Sequence, residues 1–190
     1  MSLTYSALDD LTDTLMQEAP GCPRNQVTYQ LSRAVREFLI RTKAWKSKIS
    51  IPMELNKTVY TFDVVPDVYV DELDSSSIEG MDALGDVELI GEIEFEVSSE
   101  FADQNADSLL ELTCSIIPLA LPCTIPTRLV NRYSEILTDG ALAYIFGSIG
   151  KAYSNPGEAQ DRKMNFKRGI RRSLHDLSSS NKGKSTSWRG

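Results

Sequence analysis

Apolar residues spaced three and four positions apart predict a long helix in the second half of the chain. The repeating positions are Leu129, Val130, Tyr133, Ile136, Leu137, Ala141, Tyr144 and Ile145. Because an α-helix has 3.6 residues per turn, this spacing gives one apolar face on a helix of about 20 residues. We expect Thr124 to cap it, Pro126 to occupy its first turn, and Gly147 and Gly150 to end it in left-handed conformations.

A second helix is predicted to begin at Asn155 and Pro156, a capping residue followed by a proline suited to the first helical turn. Its apolar stripe is Ala159, Phe166, Ile170, Leu174 and Leu177. The positions between carry basic residues, namely Arg162, Lys163, Lys167, Arg168, Arg171 and Arg172. The two segments therefore predict a helical hairpin with an apolar seam and one basic outer face.

The first 44 residues have the same helical spacing in two shorter segments. Leu8, Leu11 and Leu15 share one face of the first segment, which breaks at Pro20 and Gly21. The second segment runs from Pro23 to about Thr42, with the apolar positions Val27, Leu31, Val35, Phe38 and Leu39. Two short helices around such a corner are expected to pack as a pair.

From Trp45 the apolar period changes to two residues, which is typical of strands. Strands are predicted at residues 45–51, 58–62, 68–70 and 109–119. The first two are expected to form a hairpin across Asn56 and Lys57, and the last is apolar enough to be central in its sheet. Residues 71–86 and 102–107 have no period and are predicted to be polar loops.

Residues 87–97 alternate strictly between apolar and acidic positions and predict one further strand. Its acidic face consists of Glu88, Glu92, Glu94 and Glu96. Residues two apart on a strand are separated by about 6.8 Å, so neighbouring carboxylates would not share a metal ion without ligands from elsewhere. We therefore expect an acidic face toward solvent or a channel, and no metal site.

Together these patterns predict an α+β fold. About four α-helices, two from each end of the chain, form a bundle, and a small antiparallel β region is inserted between them. The expected organisation is a helical bundle from residues 1–44 and 121–177, a β region at 45–120 with its acidic loop at 71–86, and a flexible basic C-terminal arm at 178–190. A length of 190 residues suits one domain or slightly more.

Charge is distributed unevenly along the chain, whose formal net charge is −7. Residues 1–160 contain 11 Lys and Arg and 25 Asp and Glu, a balance of −14. Residues 161–190 contain 9 Lys and Arg and 2 Asp and Glu, a balance of +7. Either the body is simply a solvated acidic surface, or it repels anions while the C-terminal segment binds an acidic partner.

The basic, serine-rich C-terminal arm is too polar to fold alone. Three interpretations stay open for it. The first is that the arm has no role, the second that it becomes ordered on a neighbouring protein, and the third that it binds nucleic-acid phosphates. On a protein, Trp188 would be the apolar anchor and Lys182, Lys184 and Arg189 the charge contacts. The acidic body argues against a nucleic-acid duplex, because the two would repel each other.

The residues that catalysis requires are nearly missing from the sequence. The chain has one histidine, His175, beside Asp176 and without an evident Ser or Cys partner, so we interpret it as a surface residue. Cys22, Cys114 and Cys123 lack metal-site spacing, and although three cysteines allow one disulfide, we expect buried, reduced thiols. Dinucleotide-binding, P-loop and zinc-protease motifs do not occur. The sequence predicts a protein that is not an enzyme and has no cofactor, secretory signal or membrane helix.

Several short stretches resemble a known family in their order and spacing. They are Glu18-Ala19-Pro20-Gly21-Cys22-Pro23, Arg36-Glu37-Phe38 before Trp45, Val59-Tyr60, Pro126 with Tyr133-Ser134-Glu135, Gly140-Ala141-Leu142-Ala143, and Gly150-Lys151-Ala152-Tyr153-Ser154-Asn155-Pro156. Through this organisation, over nearly all of residues 5–177, the chain resembles the head-to-tail adaptor (connector) proteins of tailed bacteriophages, especially short-tailed ones. The acidic stretch at 71–86 departs from the compact pattern of that family.

The resemblance implies a structural virion protein of the neck, made in the host cytoplasm and without catalytic activity. Copies would form a ring, typically dodecameric, between the portal and the tail nozzle or other tail proteins. Genomic double-stranded DNA would pass close by without specific binding, and no membrane is involved. The expected portal interface is Arg168, Arg171, Arg172, Lys182, Lys184, Trp188 and Arg189, and the four glutamates would face the lumen or solvent.

Three other functions fit parts of the pattern. Another ring of the neck, such as a tail terminator or completion protein, would bind the tail tube and not the portal. A nucleic-acid-binding accessory protein would use the basic helix and lose affinity steeply with salt. A hydrolase using His175 would lose its activity on His175→Ala.

Overall fold

The computed structural model describes residues 5–63, 67–122 and 124–182, with side chains described between residues 8 and 178 of those ranges. The chain divides into two units. The helical unit combines the residues up to Ala44 with those from Leu121 onward, and the β unit is Trp45–Ala120. The prediction of an α+β fold is confirmed.

The helical unit contains four α-helices and one pair of short antiparallel strands within its described residues. The elements are β1 (Tyr5–Ala7), α1 (Asp9–Glu18), α2 (Arg24–Thr42), β9 (Thr124–Pro126), α4 (Thr127–Phe146) and α5 (Pro156–Lys182). Their predicted apolar faces meet in a core, where the rings of Phe38 and Tyr133 lie 4.7 Å apart. β1 pairs with β9 from Tyr5 opposite Pro126 to Ala7 opposite Thr124.

Two glycines allow α4 and α5 to approach closely. A Cβ atom on Gly140 would lie 2.8 Å from the Phe166 ring and 3.0 Å from Ala34. A Cβ atom on Gly169 would lie 2.7 Å from Ile136. Both distances are shorter than van der Waals contact, so the helical seam is packed around the missing side chains.

Three predicted details at the ends of these helices are wrong. Thr124 lies in β9 and not at a helix cap, because pairing with β1 holds it extended, and α4 begins at Thr127 after Pro126. Gly147 has a right-handed φ of −75°, and only Gly150 is left-handed, with φ +72°. Leu174 is exposed, because Ser173 and not Leu174 occupies the buried side of α5 at this turn.

The predicted start of α5 is confirmed, but its predicted end is not. Asn155 accepts a hydrogen bond at its Oδ1 from the Glu158 amide at 3.2 Å, as a capping residue does. The helix continues to Lys182, past Ser178, where the arm was expected to begin. Residues 183–190 lie outside the described part of the chain.

The β unit contains two antiparallel sheets in its described residues. Its elements are β2 (Lys46–Pro52), β3 (Val59–Thr61), β4 (Val68–Ile78), β5 (Met81–Asp82), β6 (Val87–Leu89), β7 (Glu94–Val97), α3 (Ser99–Gln104) and β8 (Leu109–Pro118). One sheet has the order β2-β8-β4-β5, and the other has the order β3-β7-β6. β8 is paired on both sides, so its predicted central position is confirmed.

The predicted hairpin of the first two strands is wrong. β2 pairs with β8, from Lys46 opposite Ser115 to Pro52 opposite Leu109, and β3 pairs with β7. Sequence neighbours are common partners in antiparallel sheets, but the better apolar match for β2 is the distant β8.

The predicted loop at 71–86 is largely strand. β4 runs to Ile78 along β8 and turns at Glu79 and Gly80, which have φ values of +52° and +84°, into β5. The register shifts twice along β4, between Val70 and Glu72 and again after Leu73. Such irregularities break the two-residue alternation, which is why the sequence pattern did not reveal the strand.

The predicted loop at 102–107 overlaps the end of a short helix. α3 spans Ser99–Gln104, and the Ser98 side chain caps it by accepting a hydrogen bond from the Phe101 amide at 3.2 Å. A serine before a short polar stretch was the available signal for this helix.

Candidate partner-binding surfaces

The outward side of α5 carries a group of basic side chains that we call the basic face: Lys163, Lys167, Arg168, Arg171 and Arg172. The opposite side of the helix is buried through Ala159, Phe166 and Ile170. All five basic side chains are exposed. Within the described residues none of them has a carboxylate oxygen within 4.0 Å, so the face is available for an external acidic group.

Arg162 was predicted on the same outer face, and this prediction is wrong. It lies in line with the buried stripe, four residues before Phe166, and is half-buried. Its guanidinium donates to Asp139 at 2.9 Å, Glu158 at 2.8 Å and Glu18 at 3.1 Å. The hydrogen bond with Asp139 is the main cause that raises the pKa of Arg162.

The three carboxylates around Arg162 come from α1, α4 and α5, so this one side chain joins three helices. All three nitrogens of its guanidinium are used. Such a network fixes the rotation of α5 about its axis and thereby keeps the basic face outward.

The acidic stretch at 87–97 forms a hairpin and not the predicted single strand. β6 and β7 are antiparallel, and Glu88 lies directly opposite Glu96. The turn includes Gly91 and closes with a hydrogen bond from the Ile90 amide to the Glu94 carbonyl at 3.1 Å. Gly91 within the alternating pattern was the signal for this turn.

We call the exposed side of the β3-β7-β6 sheet the acidic sheet face, formed by Glu88, Glu94 and Glu96. Glu92 does not belong to it, since it lies in the turn, where its carbonyl accepts from the Val70 amide at 2.7 Å. The other side of this sheet is apolar, and Phe95 packs between Tyr60 and Phe62 at ring distances of 5.4 and 5.0 Å.

The acidic sheet face has no counter-charge of its own. The three carboxylates form no ion pair with a described residue. Among the described residues no group of three His, Cys, Asp or Glu side chains is arranged to hold a metal ion. Like charges placed directly opposite each other on a sheet are destabilising, so this arrangement costs stability in the isolated chain.

The predicted partner-binding residues therefore fall into two sets. Arg168, Arg171 and Arg172 lie together on α5. Lys182 is the last residue of that helix, and its side chain is outside the described part, as are Lys184, Trp188 and Arg189 entirely.

A partly buried polar network in the β unit was not predicted. Lys46 on β2 donates to the Ser115 hydroxyl of β8 at 2.6 Å and to the Asp74 carboxylate of β4, and Ser115 donates to Asp74 at 3.0 Å. The three groups join three strands. Asp74 fell in the predicted loop, so the sequence offered no signal for the network.

Three side chains with nucleophilic or basic chemistry, Ser115, Cys114 and His175, lie in very different surroundings. Ser115 is fully buried, so a substrate could not reach its hydroxyl despite the nearby lysine. Burial, with a smaller contribution from the neighbouring Asp74 carboxylate, raises the pKa of the Cys114 thiol to about 11. His175 is 83% exposed, and its Nδ1 lies 3.9 Å from the Asp176 carboxylate, in the open.

The two units have opposite net charge. Residues 45–120 contain 3 Lys and Arg and 17 Asp and Glu, a balance of −14. The remaining residues contain 17 Lys and Arg and 10 Asp and Glu, a balance of +7. The positive balance of the helical unit comes entirely from residues 161–190, because the rest of that unit contains 8 Lys and Arg and 8 Asp and Glu.

No protein-family model matches this sequence, and a search of curated proteins finds no significant match. No helix in the described ranges combines the length and apolar character needed to cross a bilayer.

Proposed function

We propose that the protein is a structural component of a phage neck, a head-to-tail adaptor that forms a ring between portal and tail. The observation that carries this proposal is the separation of charge between a helical unit of +7 and a β unit of −14. A protein that must hold one partner firmly and let DNA pass without adhesion needs surfaces of both kinds.

The basic face supports docking on an acidic protein surface such as a portal. Its five side chains have no carboxylate partner among the described residues, so each can gain one at an interface. Arginine is enriched at protein interfaces, because its planar fork binds carboxylates through two hydrogen bonds. Lys182, Lys184, Trp188 and Arg189 would extend this interface along the chain.

The acidic sheet face supports a position next to DNA or solvent. Duplex DNA carries one negative charge per about 1.7 Å of its length, and the exposed carboxylates of Glu88, Glu94 and Glu96 would repel it. A channel lined by such surfaces lets DNA slide without being bound.

A ring requires that each copy uses two different surfaces, one for each neighbour. The tail side of the ring would contact the tail nozzle or related proteins. A tail terminator or completion protein would form a similar ring, but it would bind the tail tube in preference to the portal.

The basic face also favours a second candidate, a nucleic-acid-binding accessory protein. Five phosphate contacts would make the logarithm of affinity fall with the logarithm of salt with a slope of about −4 to −5. The β unit argues against this candidate, because its charge of −14 raises the cost of bringing a duplex close.

Co-sedimentation with purified portal rings of the virus that encodes the chain tests the proposal. We expect the full chain to sediment with the rings, and we expect Arg171→Glu to weaken binding at least tenfold. Lys48→Glu is the matched control, since it makes the same change in charge at an exposed site on the β unit. A chain ending at Lys182 keeps α5 whole and reports on the contribution of residues 183–190.

The outcomes separate the candidates. If no form of the chain binds portal rings, the adaptor proposal is wrong. Binding that is unaffected by Arg171→Glu would keep the adaptor and remove the basic face from the interface. Binding to DNA with the steep salt dependence given above, and not to portal, would favour the nucleic-acid candidate.

A further inference from the structure

Ile149 is the most exposed large apolar side chain in the described part of the chain. It lies in the loop between α4 and α5, and 95% of its surface is accessible to solvent. A single exposed apolar residue is ordinary on a protein surface, but exposure this complete places the whole side chain outside the body. The whole side chain is therefore accessible to a neighbouring protein.

The loop that carries Ile149 is held in place on both sides. Ser148 donates its hydroxyl to the Tyr144 carbonyl at 3.1 Å, and the Asn155 amide donates to the Phe146 carbonyl at 2.9 Å. Tyr153 of the same loop lies close to Cys22, just before the start of α2. A side chain on an anchored loop loses little conformational entropy when it binds, which favours its use as an anchor.

The helical unit also has an open, mainly apolar groove on α2. It has a volume of about 580 Å³ and is lined by Arg24, Asn25, Thr28, Tyr29, Ser32 and Leu121. The volume is several times that of the cavity of about 150 Å³ that holds a benzene molecule in an engineered core, so an isoleucine side chain fits easily.

The surroundings of the two features have opposite charge. Lys151, two residues after Ile149, is exposed and has no carboxylate partner among the described residues. At the groove, Arg24 donates to Asp9 at 3.5 Å and to Asp13, and Asp10 lies beside them on α1. Three carboxylates and one guanidinium leave this rim negative, so it attracts a lysine.

We propose that Ile149 of one copy inserts into the α2 groove of a second copy, with Lys151 against the acidic end of α1. This inference deepens the proposed function, on which it rests for the existence of a ring, and names the contact that joins neighbouring copies. Ile149, which we call the knob, and the α2 groove are formed by different segments, so the contact is heterologous. In a pair of copies, one knob and one groove therefore stay free for further copies. Repetition of such a contact closes into a ring when the rotation per copy allows it.

Sedimentation equilibrium of the chain without portal tests this contact. We expect the average mass of the wild type to rise with concentration up to about 1 mM, which is the range of weak association constants. Ile149→Asp should lower the association constant about 10- to 100-fold, the loss expected when one large aliphatic side chain is no longer buried. Ile149→Leu is the matched control and should associate like the wild type.

Mixing two variants tests that the contact is heterologous. Ile149→Asp lacks the knob and Tyr29→Ser lacks a wall of the groove, so neither should associate alone. Their mixture should form one-to-one dimers that do not grow, because one knob and one groove remain intact. Lys151→Glu should weaken association and Asp10→Lys should restore it in the same chain, as a charge pair requires.

The results distinguish this inference from the adaptor proposal. A wild-type chain that stays monomeric to about 1 mM, or that Ile149→Asp leaves unchanged, overturns the contact. Mixed variants that remain monomeric also overturn it. Portal binding uses the basic face, so Ile149→Asp should still sediment with portal rings. A wild-type chain that self-associates but does not bind portal rings would count against the adaptor proposal alone.

Discussion

The helical unit and the β unit differ in where their partners come from along the chain. In the helical unit, the spacing of apolar residues within each helix predicts its buried face. α4 and α5 pack against each other and are separated in sequence by a single loop. In the β unit, β2 pairs with β8, whose residues lie 57 positions away at Pro52 and Leu109 and 69 positions away at Lys46 and Ser115. Local patterns therefore describe the first unit well, while pairing in the second depends on matches that no local pattern contains.

The units also differ in how their charged residues affect stability. Arg162 gathers three carboxylates inside the helical unit and leaves the basic face outward. The β unit places Glu88 opposite Glu96 with no counter-charge among the described residues. The first unit thus uses charge to hold its helices together, and the second tolerates repulsion on an outer face.

The largest effect should come from the aromatic core of the β unit. Phe95→Ala removes a fully buried ring from between Tyr60 and Phe62 and should lower the free energy of unfolding by about 3–5 kcal/mol. Fluorescence of Trp45 in urea would report the loss, while helical circular dichroism should change little if the units unfold separately. Val59→Ala, on the exposed side of the same sheet, should change stability by less than about 0.5 kcal/mol.

A smaller effect should come from the seam of the helical unit. Gly140→Val would place methyl groups against Phe166 and Ala34 and should cost about 1–3 kcal/mol, since overpacking forces neighbours to move. Ellipticity at 222 nm during urea unfolding measures it. Gly157→Ala, at the start of α5 where space is available, should be neutral or slightly stabilising. Equal stability of Gly140→Val and wild type would mean that the seam is not tightly packed.

Alkaline pH should weaken the two units through different groups. Burial, with a hydrogen bond to Glu37, raises the pKa of Tyr144 in the helical unit to about 12. A raised pKa means that the folded chain holds this proton more tightly, so its contribution is complete below pH 10 and is lost as the pH rises toward 12. Tyr144→Phe should flatten this decline for the helical unit alone, as measured by urea unfolding between pH 8 and 12. The β unit should still weaken, because the pKa of Cys114 is raised to about 11.

The smallest effect should be a gain. Glu96→Gln removes the repulsion with Glu88 and should stabilise the β unit by about 0.2–1 kcal/mol at low salt. The gain should shrink as salt screens the charges. Glu92→Gln, in the turn and away from the sheet face, is the comparison, and an equal gain there would indicate a general effect of net charge.

The sequence predicted the α+β class, the four helices α1, α2, α4 and α5, and the central position of β8. It placed Arg168, Arg171 and Arg172 together, because helical periodicity alone puts them on one side of α5. It could not place Arg162 inside, since the carboxylates that enclose it come from α1 and α4. It missed most of β4, where two register shifts hide the alternation, and the hairpin at Gly91, where an alternating pattern continues through a turn.

The interruption of the helical unit by the β unit has a consequence for synthesis of the chain. α1 and α2 leave the ribosome before α4, against which α2 packs, and residues 45–120 are made in between. At about 5–20 residues per second, that stretch takes about 4–15 s to make. During this interval the apolar side of α2, including Phe38, which packs on Tyr133 of α4, lacks its cover from α4. The newly made chain is therefore most prone to aggregate, and most in need of a chaperone, while its β unit is emerging.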